Sequence, residues 1–530
     1  MARAWRCVLA VAMVLCLAVP ANGHWRPWKK RTIELERIGR YSSGLFAVGA
    51  AEISAYDPFS RRLFLVNAAN SSIDVLSLTD PTKPELKFSI DVTPYGDQAN
   101  SVAVHGRVVA AAIQANVKTD PGVVVFFETD GDFISQVTVG ALPDMLTFSP
   151  DGRKVLAANE GEPNADYSID PEGSVSIIDL RRGAKRVTQD DVVTAGFTQF
   201  TKANIDPRIR IYGPGASVAQ DIEPEYITVS HDGKTAWVTL QENNAIGVLD
   251  ISRGEFTELL ALGFKDHRNP LNALDASDRD SAINITTWPV DGMYQPDGIQ
   301  SFRHHGRTYL ITANEGDARE YDTFVEEARV SSLNLDPTAF PNAATLKANG
   351  ALGRLTVTRA LGDTDGDGDY DRLHPLGGRS FSIWTPEGSL VFDSGDLLEQ
   401  ITADAHPTDF NATNDANASF DNRSDNKGPE PEGVEIGEIL GRTYAFIGLE
   451  RPGGVVVFDI SNPAAPEFVQ YINPRDFAGN AAAGTADDLG PEGLLFIPAH
   501  ESPIWQPLLV VSNEVSGSVS IYKIKSVKEK

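Results

Sequence analysis

The stretch PEYITVSHDGKTAWVTLQENNAIGVLDI (residues 224–251) decides the fold. It opens on Glu225 behind a proline and alternates apolar and polar residues up to a break at His231-Asp232-Gly233-Lys234. It resumes as TAWVTL (235–240), breaks again at Gln241-Glu242-Asn243-Asn244, and resumes a third time as AIGVLDI (245–251). Period-two alternation with β-branched residues, punctuated by Gly- and Asn-bearing turns, is the pattern of consecutive antiparallel strands. The same grammar recurs from Ala51, Asn100, Pro143, Pro296, Pro431 and Pro491, often with a fourth run, as in PELKFSIDV from Pro84 and DFISQVTVG from Asp132. Seven such units predict an all-β chain folded as a seven-bladed β-propeller.

The last unit stops at its third strand, SVSIYKI (518–524), while TIELERIG (32–39) is a spare strand ahead of the first unit. Pairing the two completes the seventh blade and removes an open sheet edge, so the N-terminal strand is expected to close the wheel. The openings at residues 52, 100, 144, 225, 297, 432 and 492 are unevenly spaced. The surplus over a minimal blade of about 40–45 residues falls around 181–223, 255–295, 316–378 and 402–430. Each insert is expected between blades or between the second and third strands of one blade. Both connections leave a propeller on the same face, so the elaboration should crowd one rim, where loop-borne function resides.

Composition narrows the partners. Lys and Arg number 46 against 73 Asp and Glu, a formal net charge of −27, which opposes binding to phosphate backbones and excludes nucleic acid. Residues 1–23 read as a secretory signal peptide: Arg3 and Arg6, an apolar run over 7–19, then Pro20-Ala21-Asn22-Gly23. Both cysteines, Cys7 and Cys16, fall inside it, so residues 24–530 form a single propeller domain with neither disulfide nor thiolate site. No later stretch is apolar for long enough to span a membrane. The expected product is a strongly acidic protein secreted to the extracellular space.

The most specific motif is Asp363-Thr364-Asp365-Gly366-Asp367-Gly368-Asp369-Tyr370-Asp371. Alternating carboxylates at loop positions 1, 3, 5, 7 and 9, with Gly368 at position 6, suit a chain wrapping its oxygens around Ca²⁺. Position 12 is His374 and not a bidentate Glu, so the motif is not an EF-hand but a shorter aspartate-rich loop. A second set appears on aligning the repeats. The first strands open on Glu52, Asn100, Asp144, Glu225, Asp297, Glu432 and Glu492. The second strands end on Asn67, Gln114, Asn159-Glu160, Gln241-Glu242, Asn314-Glu315, Glu450 and Asn513-Glu514. These two positions meet at one mouth of a propeller's central channel. Oxygen-only shells there suit Ca²⁺, Mg²⁺ or Mn²⁺ and not zinc or copper. The same short polar residues also serve as turn caps and inter-blade ties, and the sequence leaves both roles open.

The chain carries no His-Glu-x-x-His, P-loop, Gly-x-Ser-x-Gly elbow or Cys-x-x-Cys. His304-His305 is expected in a turn on the face opposite the inserts. Five Asn-x-Ser/Thr acceptor sites stand at Asn70, Asn284, Asn411, Asn417 and Asn422.

The runs 140–180, 295–321 and 361–384, which hold PDGRKVLAANEGEP, LITANEGDAREY and LGDTDGDGDYDRLHPLGGRS, resemble the choice-of-anchor I family, the group that includes mesenchyme-specific cell surface glycoproteins. The resemblance spans about residues 35–525. It implies a secreted or surface β-propeller and, in animal members, association with calcified matrix; some bacterial relatives carry an alkaline-phosphatase-like label. No anchor or sorting tail follows the last blade, so free secretion is expected. Two functions follow. In the first, an extracellular Ca²⁺-binding matrix or surface glycoprotein linked to biomineralisation holds cations at Asp363–Asp371, with calcium mineral or matrix proteins as partners. In the second, a metal-dependent phosphoesterase uses Glu160, Glu225, Asp297, Glu315 and Glu432 at the channel mouth as ligands. A partner-binding propeller is a third possibility that no residue pattern isolates.

Overall fold

The computed structural model describes residues 31–528, so the signal-peptide assignment and both cysteines lie outside the described residues. Seven four-stranded antiparallel sheets form the blades. In chain order blades 1 to 6 span 54–91, 99–141, 143–196, 227–261, 299–393 and 431–472. Blade 7 runs from its first strand Pro491–Ile497 through Leu508–Asn513 and Ser518–Lys528 to Arg31–Ser42, the strand that closes the wheel. The closing pair runs from Thr32 opposite Val527 to Ser42 opposite Ser518. Two arginines reinforce it. Arg37 reaches Asp487 at 2.6 Å, and Arg40 Nε reaches Asp488 at 2.6 Å, whose carboxylate also accepts from Ser518 Oγ at 2.7 Å.

The hydrophobic core is not central; it lies between blades. Alternation gives every strand two apolar-capable faces, and each blade packs both against its neighbours. Phe64 and Val66 of blade 1 meet Val109, Val125 and Phe127 of blade 2, while Leu63 and Leu65 meet Val510, Val519 and Ile521 of blade 7. Ile33 and Leu35 of the closing strand pack with Tyr444, Phe446 and Val457 of blade 6. Each such side chain buried from water contributes about 1.5–3 kcal/mol, so the closing strand is held by packing as well as by its ladder.

Two of the expected inserts need correction. The 181–223 stretch contains Val192–Gly196, the fourth strand of blade 3, and 255–295 begins with Glu255–Ala261, the fourth strand of blade 4. Their mixed polar and apolar sequences reflect a blade's outer edge, where one face meets water, so alternation is weak. The stretches beyond those strands, with 316–378 and 402–430, leave the wheel on one side. Two of them are not loose loops: Leu274 and Val290 from the stretch after blade 4, and Ala328, Val330, Leu352, Leu355, Val357 and Leu373 from 316–378, form a hydrophobic core of their own. His304 and His305 sit in the turn between the first two strands of blade 5, on the other side.

Candidate cation sites

Four of the blades open with a device that turns one side chain into the channel. The strand pairing shifts register between Ala99 and Ser101, Pro143 and Leu146, Pro431 and Val434, and Pro491 and Leu494. Asn100, Asp144, Glu432 and Glu492 lie inside these irregularities, and a bulge re-aims the residue it carries. The glycine that follows Asp297, Glu432 and Glu492 has a matching cause. A Cβ on Gly298 would sit 2.7 Å from Glu432 O, one on Gly433 2.3 Å from Glu492 O, and one on Gly493 2.5 Å from Glu52 O. Neighbouring blades therefore touch backbone to backbone at this level, which draws Asp297, Glu432, Glu492 and Glu52 into one ring.

Three carboxylates of this set, Asp297, Glu315 and Glu432, bring oxygens within 4.8 Å of one another, and Glu315, Glu430 and Glu450 do the same. Asp144, Glu160, Glu225 and Glu492 join the crowd without forming such a trio. Burial first, and then the neighbouring carboxylates, raise Glu160, Glu225, Asp297, Glu432 and Glu492 well above the ordinary range. The same causes push Glu52 up to about 8 and Asp144 to about 6. Glu225 is 8% exposed, and its Oε2, like Oε2 of Glu242, Glu432 and Glu492, has no hydrogen-bond partner among the described residues.

The asparagines of the second set do not join the ring. Asn159 Nδ2 donates to Ser174 Oγ (3.2 Å) and Ser176 Oγ (3.0 Å), and Asn314 Nδ2 to Ser380 Oγ (3.1 Å) and Ser382 Oγ (2.8 Å). Asn513 Nδ2 donates to Ser518 O at 3.2 Å, and Asn67 Nδ2 to Asp74 at 2.9 Å. Strand neighbours point to opposite sides, so where the asparagine ties the second strand to the third, the following glutamate is left for the mouth.

Counter-charge comes from residues with no repeat signal. Lys427, from the insert before blade 6, places Nζ 2.9 Å from Glu315 and 3.2 Å from Glu430. Burial alone would raise Glu430, but Lys427, Arg423 and Arg451 hold it down at about 2. Arg319 pairs with Asp221 (2.7 Å) and Glu223 (3.0 Å); burial outweighs that pairing and leaves Glu223 near 7. Glu162 and Asp317, also near the mouth, follow the repeated Asn-Glu-Gly in NEGE and NEGD. That four-residue repeat would have found them.

The aspartate loop lies in the 316–378 insert between the second and third strands of blade 5, on the side of the acidic mouth. Asp363, Asp365 and Asp371 bring oxygens within 4.8 Å of one another. Asp363 accepts from Gly366 N (2.7 Å) and Gly368 N (3.1 Å), turns that both glycines permit with φ of +80° and +95°. Asp369 turns away into a second trio with Asp371 and Asp336, a residue with no motif signal because it lies far back in the chain. Partial desolvation, with Asp367 and Asp336 alongside, pushes Asp369 up to about 6. Asp367 belongs to neither trio; it accepts from Asp369 N at 3.0 Å. Tyr370 anchors the loop through backbone bonds with Asn334 and Asp336.

Of the glycan-acceptor asparagines, Asn70 and Asn422 are exposed. Asn411 is buried, with Nδ2 bonded to Glu399 and Ser424, and Asn417 Nδ2 is held by Asp476 O and Gly479 O.

The model of the choice-of-anchor I domain matches residues 52–463, most of the wheel and the whole aspartate loop. The chain belongs to the choice-of-anchor I family. This choice-of-anchor I propeller is 29% identical over 187 residues to Gigasin-3a of Magallana gigas, covering 33% of the chain and 66% of that protein. It is 26% identical over 282 residues to the mesenchyme-specific cell surface glycoprotein of Strongylocentrotus purpuratus, covering 46% of the chain and 35% of that protein. The chain thus spans about two thirds and one third of these relatives. Among solved structures, it aligns with the hydrazine synthase of Kuenenia stuttgartiensis (12% identity, TM-score 0.44, 92% of this chain and 99% of that one). It also aligns with a streptogramin B lyase (10% identity, TM-score 0.44, 93% and 98%). Among the described residues no helix is long and apolar enough to cross a membrane.

Proposed function

We propose that this choice-of-anchor I propeller is an extracellular protein of the cell surface or matrix that binds divalent cations, Ca²⁺ foremost, at the channel mouth and in the aspartate loop. One observation carries the reading. The mouth gathers carboxylates from six blades, and buried oxygens of Glu225, Glu432 and Glu492 are left without a partner. A buried carboxylate that lacks a partner either keeps a proton or takes a cation. All-oxygen donors select hard cations, with Mg²⁺ and Mn²⁺ as competitors at the mouth. The cell-surface glycoprotein named among the relatives supports the location. A rim of carboxylates with bound Ca²⁺ suits adsorption to calcium mineral or acidic matrix proteins.

Calorimetry with Ca²⁺, Mg²⁺ and Mn²⁺, beside the metal content of the purified protein, tests the reading. Ca²⁺ uptake that weakens at least tenfold in Asp297→Asn/Glu432→Gln is expected; uptake unchanged in that variant and in Asp365→Asn would overturn it. A phosphoesterase at the same mouth is less favoured, since Lys427, Arg451 and Arg319 are all paired with carboxylates and none is left to receive a phosphate. Phosphate release in the presence of these metals would restore that alternative.

A further inference from the structure

Beside the aspartate loop the inserts line an open cavity of about 510 Å³, within the usual range for small-molecule sites. Its apolar wall includes Ile209, Phe264 and Leu361, and Asp363 and Thr364 bring the loop to its edge. Two cations on the lining are not neutralised by carboxylates. Lys202 Nζ donates only to Ile211 O, at 3.3 Å, and Arg372 makes no ion pair among the described residues. The other two, Arg208 and Arg210, are bound to Asp206 at 2.6 Å and to Glu326 respectively.

His374 supplies an independent indication. It is 4% exposed, lies in the cavity wall with its ring 4.5 Å from that of Phe264, and bonds Asp291 O through Nδ1 at 2.8 Å. Since a carbonyl can only accept, Nδ1 carries the proton and Nε2 is a bare acceptor. Nε2 has no partner among the described residues. The cavity thus offers an apolar wall, an acceptor awaiting a hydroxyl, and cations awaiting an oxyanion. A sugar acid carries all three complements: C–H faces, hydroxyl donors, and a carboxylate or sulfate ester.

We propose that this cavity is a Ca²⁺-assisted binding site for an acidic saccharide, whose oxyanion lies between the loop cation and Lys202 and Arg372 and whose hydroxyl donates to His374 Nε2. The proposal rests on the reading of the loop as a Ca²⁺ site. Without the ion Asp363 repels an anion from the cavity edge; with it the same edge attracts.

The test is calorimetry of the full chain with trigalacturonate and with a chondroitin sulfate tetrasaccharide, in Ca²⁺ and in EGTA, with a neutral dextran oligomer as control. Binding of either acid in Ca²⁺, lost in EGTA and absent for dextran, is expected, and the arm that binds distinguishes carboxylate from sulfate. Lys202→Glu/Arg372→Glu alters two exposed positions and should weaken the saccharide at least tenfold without weakening Ca²⁺ binding, since the added negative charge beside Asp371 favours the cation. Asp365→Asn should weaken both. Saccharide binding that survives EGTA or the double charge reversal, or equal binding of dextran, overturns the proposal. Ca²⁺ uptake without saccharide binding overturns it alone, whereas absence of Ca²⁺ uptake at the loop overturns it together with the loop reading beneath it.

Discussion

The channel mouth and the aspartate loop are built from the same functional group and tolerate its crowding in opposite ways. At the mouth the carboxylates arrive from separate blades, fixed by bulges and by glycines that let adjacent backbones touch. Their surroundings exclude most water, so repulsion is relieved by protons or by a few basic residues. In the loop, Asp363, Asp365 and Asp367 are exposed and use their oxygens to bind nearby backbone N–H groups. Water and local hydrogen bonds do there what Lys427 and protonation do at the mouth. Buried crowded charge therefore makes a site costly to disturb and sensitive to pH, while exposed crowded charge makes one that is cheap to alter.

The largest effect should follow from removing the mouth's internal cation. Lys427→Met leaves Glu430 and Glu315 without their ammonium partner in a buried setting, and breaking such a pair costs about 3–5 kcal/mol. Chemical denaturation in EGTA should show that loss. If the mouth takes Ca²⁺, millimolar Ca²⁺ should restore part of it by occupying the vacated position. A loss that Ca²⁺ leaves untouched would argue that the mouth is a purely structural ion-pair network.

Next in size is the response of the intact protein to cation and pH. A ligand that binds only the folded state stabilises it by about 2.7 kcal/mol at a hundred times its Kd, and Asp297→Asn/Glu432→Gln should lose most of that gain. The same variant should be somewhat more stable than the parent in EGTA, because two repelling acids are gone. The mouth acids are raised in the folded state, so between their ordinary pKa near 4 and the raised values the native chain holds more protons than the unfolded one. Their favourable contribution is therefore complete below about pH 4 and is lost as pH climbs through about 6 for Asp144 and about 8 for Glu52. Glu430, held at about 2, acts in the opposite sense only below pH 4.5. In EGTA the thermal midpoint should fall between pH 5 and 8; in saturating Ca²⁺ the slope should flatten as the ion replaces protons. An identical slope in both buffers would separate the raised acids from cation binding.

The same contrast explains what could be read from the sequence. Blade count and closure were legible because a strand needs alternation and a closed wheel needs its seventh edge paired, both local patterns. The ring carboxylates were legible because each opens a repeat, as in Pro296-Asp297-Gly298 and Pro431-Glu432-Gly433. The asparagines stayed open between two roles: in the aligned repeats Asn314 and Glu315 look equivalent, and it is strand geometry that sends one into the blade and the other to the mouth. Lys427 and Asp336 were invisible, since each comes from an insert outside the repeat, and the insert that carries Asp336 follows a packed core of its own.

The smallest effect belongs to the loop and is the sharpest discriminator between the two regions. Asp365→Asn removes one exposed carboxylate of the Asp363, Asp365 and Asp371 trio while retaining an oxygen that can accept from Asp367 N. Global stability should stay within about 0.5 kcal/mol of the parent, as for surface changes generally, in EGTA and at every pH between 5 and 8. Ca²⁺ affinity at the loop should fall severalfold, and both the parent's loop affinity and this loss should shrink as salt rises from 0.05 to 0.5 M, because exposed charges are screened over about 10 Å at 0.1 M. Mouth affinity should hardly respond to that salt change, since its ligands are enclosed by protein. Calorimetry that resolves two classes of Ca²⁺ site, one salt-sensitive and lost in Asp365→Asn, the other pH-sensitive and lost in Asp297→Asn/Glu432→Gln, would separate the regions; a single class affected equally by both variants would merge them into one electrostatic field.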